Sequence, residues 1–174
     1  MMDIRPVQPD DQAALIGFFR RMPEGDRTFF KEDIDDPHVL ESWARPGGAR
    51  VIAVEHGEVF GSVAVVPLHG WSSHVGEVRL VVDPERRGRG VGRALAQRAV
   101  LEAMDMSLAK LVVDVIAEQE ALIGMFRALG FEPEALLVDH VRDRSGQVRD
   151  LLVLANSVES QFAAMSAAGI VDGL

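Results

Sequence analysis

Near residue 88 the hydrophobic period of the chain changes, and this change constrains the fold more than any other feature. Upstream, Val78, Leu80 and Val82 alternate with Glu77, Arg79 and Val81, the period-two pattern of a strand over 77–83. Downstream, Val91, Ala94, Leu95, Ala99 and Ala103 recur at helical spacing and predict a long helix from about 90 to 106. Only a short turn holding Gly88, Gly90 and Gly92 separates the two elements. A strand that runs so directly into an amphipathic helix must pack that helix against its own sheet.

The flanking patterns supply the rest of the sheet. A strand is expected over 3–7, then a helix over 9–21. Asp10 and Asp11 lie where an N-cap and a first turn favour oxygen acceptors, and Pro23 stops the helix. Residues 24–45 are least regular, and Pro37 divides them into two short helices. The β-branched runs 50–55 and 58–66 around His56-Gly57 read as a hairpin. A loop over 67–76 holds Trp71, His69 and His74. An apolar strand at 111–116 is interrupted by Asp114. Leu122, Met125, Phe126 and Leu129 define a second amphipathic helix that Gly130 ends. Runs at 135–141 and 148–154 read as a second hairpin around Ser145-Gly146, and the Ala- and Met-rich tail 156–174 as a helical C-terminal extension. The order β-α-α-β-β-β-α-β-α-β-β implies an α+β (mixed α/β) fold. It is read as one domain over 1–174, with a central mixed, largely antiparallel sheet of about seven strands flanked by helices.

Charge and composition narrow the function classes. With 18 basic against 27 acidic side chains the net charge is −9, which disfavours a nucleic-acid partner. The absence of cysteine removes disulfides, Cys-ligated zinc and a cysteine nucleophile. The first residues, MMDIRPVQPDD, carry acids where a signal peptide needs basic residues. No apolar run reaches the roughly 18 residues of a membrane helix. A soluble, cytoplasmic protein without membrane association is expected.

Against this acidic background, VVDPERRGRGVGRAL at 81–95 concentrates Arg86, Arg87, Arg89 and Arg93 around the glycines. Glycine lets successive N–H groups turn toward one point, and the helix N-terminus adds about half a positive charge in the same direction. The combination is a cradle for a pyrophosphate. A Walker loop is excluded because no Lys-Ser or Lys-Thr follows the glycines. The dinucleotide fingerprint also fails in both frames, since it needs glycine at position 93 or 95, where Arg93 and Leu95 stand. The competing interpretation is a loosened turn with arginines on a solvated rim.

These residues resemble the GNAT superfamily of acyl-CoA-dependent N-acyltransferases. The signature [Q/R]-x-x-G-x-[G/A] at a strand-to-helix turn stands here as Arg87-Gly88-Arg89-Gly90-Val91-Gly92. A second family element, an Asn ahead of a helix ending in Tyr-x-x-x-Gly-Phe, is represented by Gln119 and by Phe126 through Gly130-Phe131. The resemblance extends over about 3–155 and is strongest over 77–131. It implies acetyl-CoA as co-substrate. Backbone groups of Leu80, Val81 and Val82 would pair with the pantetheine arm. Amides of Arg87, Gly88, Arg89, Gly90, Val91, Gly92 and Arg93 would hold the pyrophosphate, and Gln119 and Phe126 would line the channel near the thioester. Two departures stand out. Gln119 replaces the family's Asn, and Phe126 replaces a Tyr proposed to protonate the departing thiolate. No tyrosine exists anywhere in the chain.

The implied reaction is transfer of acetyl to a primary amine by direct attack in a ternary complex, with an N–H near Val81 or Val82 polarising the carbonyl. An alkyl amine, with a pKa of about 10.4, must lose a proton first. Glu77 is the first candidate base, or else a strand charge paired with Arg79. His74 and His140 are weaker candidates, and Asp114 reads as hydrogen-bonded structure. The spacing of His38, His56 and His69 suits no metal, and none is expected. The acceptor, a small-molecule or protein amine, is expected near 24–45. There Phe29, Phe30, Glu32, Asp33, Asp35 and Asp36 form either an acidic, partly aromatic mouth or a solvated helical face. The alternative function is a non-catalytic acyl-CoA-binding or sensing module. The tail 156–174 offers a homodimer contact.

Overall fold

The computed structural model describes residues 2–27, 30–31, 33, 36, 38–39 and 47–171. Seven strands form one sheet: β1 (Asp3–Pro6), β2 (Ala49–Glu55), β3 (Glu58–Pro67), β4 (Val75–Val82), β5 (Lys110–Ile116), β6 (Glu132–Arg142) and β7 (Val148–Ser157). Their order is β1-β2-β3-β4-β5-β7-β6. Neighbours are antiparallel except β4 and β5, which run parallel. The helices are α1 (Gln12–Arg21), α2 (Glu24–Arg27), α3 (Val91–Asp105), α4 (Glu120–Ala128) and α5 (Val158–Ala167). The α+β class and the largely antiparallel sheet agree with the order of periodicities in the sequence.

Side-chain alternation assigns the two faces of the sheet. Val51, Val63, Val65, Val78, Leu111 and Val113 point to one face and join Val91, Leu95, Ala99 and Val100 of α3, Phe126 of α4 and Met165 of α5 in the larger core. Ile52, Val54 and Val59 point to the other, where Leu15, Phe18 and Phe19 of α1 and its C-cap Met22 cover them. Those four residues fall at i, i+3, i+4 and i+7, the stripe a helix buries on a sheet.

Several elements differ from their expected limits. β4 begins two residues early because Val75–Val78 pairs in parallel with Lys110–Val113. The helix expected over 9–21 opens as a 3-10 turn over Pro9–Asp11. Asp11 is the N-cap of α1, yet its carboxylate makes no cap bond to that helix. It accepts from the Gln8 N–H at 2.7 Å and from both terminal nitrogens of Arg5 at 2.7 Å. β7 runs to Ser157, and α5 buries Val158 and Met165 in the larger core, so the C-terminal segment is packed into the domain. Of the irregular stretch, α2 covers Glu24–Arg27. Phe29, Glu32, Ile34, Asp35, Pro37, Leu40 and Trp43 lie outside the described residues.

Candidate functional site

The site is built where β4 and β5 part. Their parallel pairing ends at Val78 and Val113. β4 continues along β3 to Val82, and β5 continues along β7 to Ile116. Leu80, Val81 and Val82 are therefore paired toward β3 while, among the described residues, no strand pairs with their other side. Alternate N–H and C=O groups of such a segment point outward and can accept an added extended chain.

The open segment leads through Asp83 and a 3-10 turn at Pro84–Arg86 into α3. Gly88 and Gly90 have φ of +72° and +83°, the left-handed region that favours glycine. No side chain caps α3 at Gly90, and the Gly90 carbonyl receives its helical bond from Ala94 at 3.0 Å. Amides before Ala94 thus stand at an uncapped helix terminus, where partial positive charge collects. Gly92 keeps this end close to its neighbours: a Cβ there would lie 3.3 Å from Met125 Sδ of α4 and 3.5 Å from Val82 Cγ2 of β4.

The four arginines divide into two pairs. Arg86 reaches Glu55 at 3.3 Å and lies 4.9 Å over the Phe60 ring. Arg87 donates through Nε to the Val82 carbonyl at 3.1 Å and pairs with Asp26. Both hold the turn in place. Arg89 and Arg93 are exposed and, among the described residues, have no carboxylate partner. The free positive charge at this turn therefore comes from Arg89 and Arg93.

On the α1 face, Glu77 and Asp114 flank the point of divergence. Asp114 is one residue beyond the last β4–β5 pair. Lys31, from the segment after α2, places its ammonium between them, pairing with Glu77 Oε1 and with Asp114 Oδ2 at 2.6 Å. Arg79 donates to Glu77 Oε2 at 3.1 Å. Burial by itself raises the Glu77 carboxyl, but hydrogen bonds from Lys31 and Arg79 outweigh it and leave the group below its ordinary value. For Lys31 burial opposes the charged form, and the bonds to Asp114 and Glu77 prevail, so its ammonium titrates above the usual value. Both charges are present at neutral pH. The expected Glu77–Arg79 pair is formed, with Lys31 added to it.

The remaining sequence candidates are dispersed. His74 is exposed at the opposite end of β4 from the glycine turn, and its carbonyl accepts from Ala109 and Lys110 at 2.8 and 3.2 Å. His140 is exposed on the edge strand β6, beside an irregularity between Leu137 and Val141 where Asp139 has φ +54°. Gln119 is the N-cap of α4; its carbonyl receives Leu122 and Ile123, both at 3.0 Å, while its half-buried amide side chain makes no bond among the described residues. Phe126 is fully buried, edge-on to Phe131 with centroids 5.1 Å apart, and presents no surface to a channel. Phe30 packs edge-on against Phe19 at 5.4 Å, as a core residue does. Asp36 accepts from the His38 N–H at 2.9 Å. Lys31 was not among the expected residues. The signal that could have exposed it is its rarity, as one of two lysines beside sixteen arginines.

Among the described residues, no three His, Cys, Asp or Glu side chains converge as a metal site. No described helix is long and apolar enough to cross a membrane.

Known proteins share this fold. The profile of the Acetyltransferase (GNAT) family matches residues 12–131. An uncharacterized N-acetyltransferase of Escherichia coli (strain K12), YjgM, is 27% identical over 108 residues, which span 62% of this chain and 65% of that protein. The matched region thus covers a little under two thirds of that relative. A GNAT-family acetyltransferase from Streptococcus pneumoniae superposes with a TM-score of 0.80 at 19% identity, covering 90% of this chain and 99% of that one. The yncA protein of Salmonella typhimurium, solved with its cofactor acetyl-CoA, superposes at 0.75 with 21% identity, covering 90% and 94%. These structural likenesses establish the fold. Together with the match over 12–131, they show that this chain belongs to the acetyltransferase (GNAT) family.

Proposed function

We propose that this chain transfers an acetyl group from acetyl-CoA to a primary amine by direct attack within a ternary complex. The observation that carries the reading is the open side of Leu80–Val82 running into an uncapped helix terminus beside Arg89 and Arg93. An extended pantetheine arm fits the former and a pyrophosphate the latter, and the two lie in the right order along one chain. Acetyl-CoA would supply an activated thioester. Amides over 87–93, with Arg89 and Arg93, would bind the phosphates, and an N–H near Val81 or Val82 would stabilise the developing oxyanion. Gln119, with an unengaged amide at the head of α4, would hydrogen-bond near the pantetheine. The likeness to yncA, solved with acetyl-CoA, supports this choice of co-substrate.

Glu77 is the base in this reading. It remains ionised at neutral pH and lies beside the divergence of β4 and β5, so it can hold an incoming ammonium; its place there, not its basicity, makes it the proton acceptor in this reading. His74 and His140 are retained as weaker alternatives that the same experiments would separate. Without a tyrosine, the thiolate takes its proton from the attacking amine or from water. The acceptor is a small molecule or a protein amine, and the protein works in the cytoplasm; a homodimer through α5 is compatible with catalysis.

A second reading, a non-catalytic acyl-CoA-binding module, is favoured by the pairing of Glu77 with Lys31 and Arg79. Incubation with acetyl-CoA and a panel of amines, aminoglycosides, amino acids and lysine peptides separates the two. The cysteine-free chain adds no thiol background when released CoA is measured. Release above the acceptor-free rate is expected. CoA binding by calorimetry without turnover on any amine would favour the module. Neither binding nor turnover, with Gly90→Asp equal to wild type, would overturn both.

A further inference from the structure

Any amine that Glu77 is to deprotonate must bring its nitrogen within reach of that carboxylate, directly or through one water. In this structure that position holds an amine of the chain itself, Lys31 Nζ, which also lies 2.6 Å from Asp114 Oδ2. We infer that Lys31 is an acceptor in its own right, and that the protein acetylates itself at Lys31. The inference rests on the proposed acetyl-CoA site and on Glu77 as its base.

Three observations support it. Lys31 arrives from a segment distant in sequence, 46 residues from Glu77 and 83 from Asp114, and stops at the mouth between β4 and β5. Its side chain keeps 39% exposure, so the amine is not sealed away from a thioester lying along the Leu80–Val82 edge. Most telling is the choice of residue. The chain uses arginine sixteen times and lysine twice, and other ion pairs near this site, Arg86–Glu55, Arg87–Asp26 and Arg79–Glu77, are all built with arginine. A cation needed only to hold two carboxylates would be served as well by a guanidinium, which donates in a fixed fork. Only an amine can receive an acyl group.

The step balances without a further reagent. The Lys31 ammonium gives one proton to Glu77, an uphill transfer against the pairing that holds Glu77 low and Lys31 high, and the amine nitrogen attacks the thioester carbonyl. The new C–N bond forms, the C–S bond breaks, and the sulfur leaves with its electron pair. The remaining proton lost from nitrogen goes to the thiolate, giving CoA thiol, and Glu77 releases its proton to solvent. The tether supplies the proximity that an external amine must obtain by binding.

Lys110 is a control within the same molecule. It too is ion-paired, with Glu134, and its side chain is 36% exposed against 39% for Lys31. The full-length protein is incubated with acetyl-CoA and no acceptor, and acetylation is followed by intact mass and peptide mapping. One acetyl group per chain is expected on Lys31, at least about tenfold faster than on Lys110. Glu77→Gln is expected to slow Lys31 by about a hundredfold, the scale of a lost general base, with Lys110 unchanged. Lys31→Arg keeps the cation and loses the adduct. Equal rates at Lys31 and Lys110, or no response to Glu77→Gln, would overturn the inference in favour of uncatalysed acylation. An unmodified Lys31 with normal turnover of an external amine would overturn it and leave the proposed function standing. Absence of CoA binding by calorimetry would overturn both.

Discussion

Gly61 of β3 lies beneath the first turns of α3, and its replacement by alanine probes how tightly that helix is seated. A Cβ at Gly61 would fall 2.8 Å from Leu95 Cδ1 and 3.1 Å from Val91 Cγ1. Comfortable carbon contacts begin at about 3.5 Å, so the closer one is short by roughly 0.7 Å. Neither neighbour can swing clear: Leu95 is 0% exposed, and Val91 is 4% exposed and β-branched. The helix must lift, at a cost of about 1–3 kcal/mol, offset by about 0.5–1 kcal/mol from the glycine entropy removed. The net loss, up to about 2.5 kcal/mol, corresponds to a fall in Tm of up to about 10 °C for a chain of this size. Gly124 of α4 is the matched opposite, since a Cβ there meets nothing within 4 Å on an exposed helical position. Gly124→Ala should raise stability by about 0.5–1 kcal/mol. Thermal unfolding followed by circular dichroism compares the two. A Gly61→Ala protein as stable as Gly124→Ala would refute the packing argument.

Four further outcomes are expected. Asp11→Asn leaves Arg5 without its bidentate carboxylate and should lower stability by about 1–2 kcal/mol in urea unfolding, less than a sealed pair because Arg5 is partly exposed. The Arg5 hydrogen bond holds the Asp11 carboxyl below its ordinary value, and Glu77 is also held low despite its burial. For both groups the stabilisation is complete above the unfolded carboxylate pKa of about 4 and is lost as pH falls through the lower folded values. Urea midpoints should therefore decline below about pH 4, and Asp11→Asn should flatten that decline. Arg89→Ala and Arg93→Ala should each weaken CoA binding by about three- to tenfold in calorimetry at low salt, with a smaller effect at high salt. Arg86→Ala should act mainly on stability, because its partners are Glu55 and Phe60.

How much the sequence discloses follows from how local each determinant is. The glycine turn is legible because strand, positive-φ glycines and helix stripe lie within about thirty consecutive residues. Both hairpins are legible from their turns, but the insertion of β7 between β5 and β6 is a contest among strands that no local pattern decides. The parting of β4 and β5 is equally silent, because both strands read as continuous runs through the point where pairing stops. Arg86, Arg87, Arg89 and Arg93 read alike in the sequence, and only the distant partners Glu55 and Asp26 set the side chains of the first two apart. Phe126 sits in a family motif, yet its full burial against Phe131 depends on packing of the whole core. The Lys31–Glu77–Asp114 cluster joins three remote segments and has no periodic signature.

The central claim is that one continuous stretch, the open edge at 80–82 and the amides at 87–93, holds acetyl-CoA. Amide NMR of the uniformly ¹⁵N-labelled protein during titration with CoA tests it most directly. The account predicts saturable shifts concentrated at residues 80–82 and 87–93, with Gly90→Asp weakening them. Shifts centred elsewhere, for example on the concavity lined by Lys110, Glu134 and Asn156 at the far end of β5, or no shifts at millimolar CoA, would contradict it.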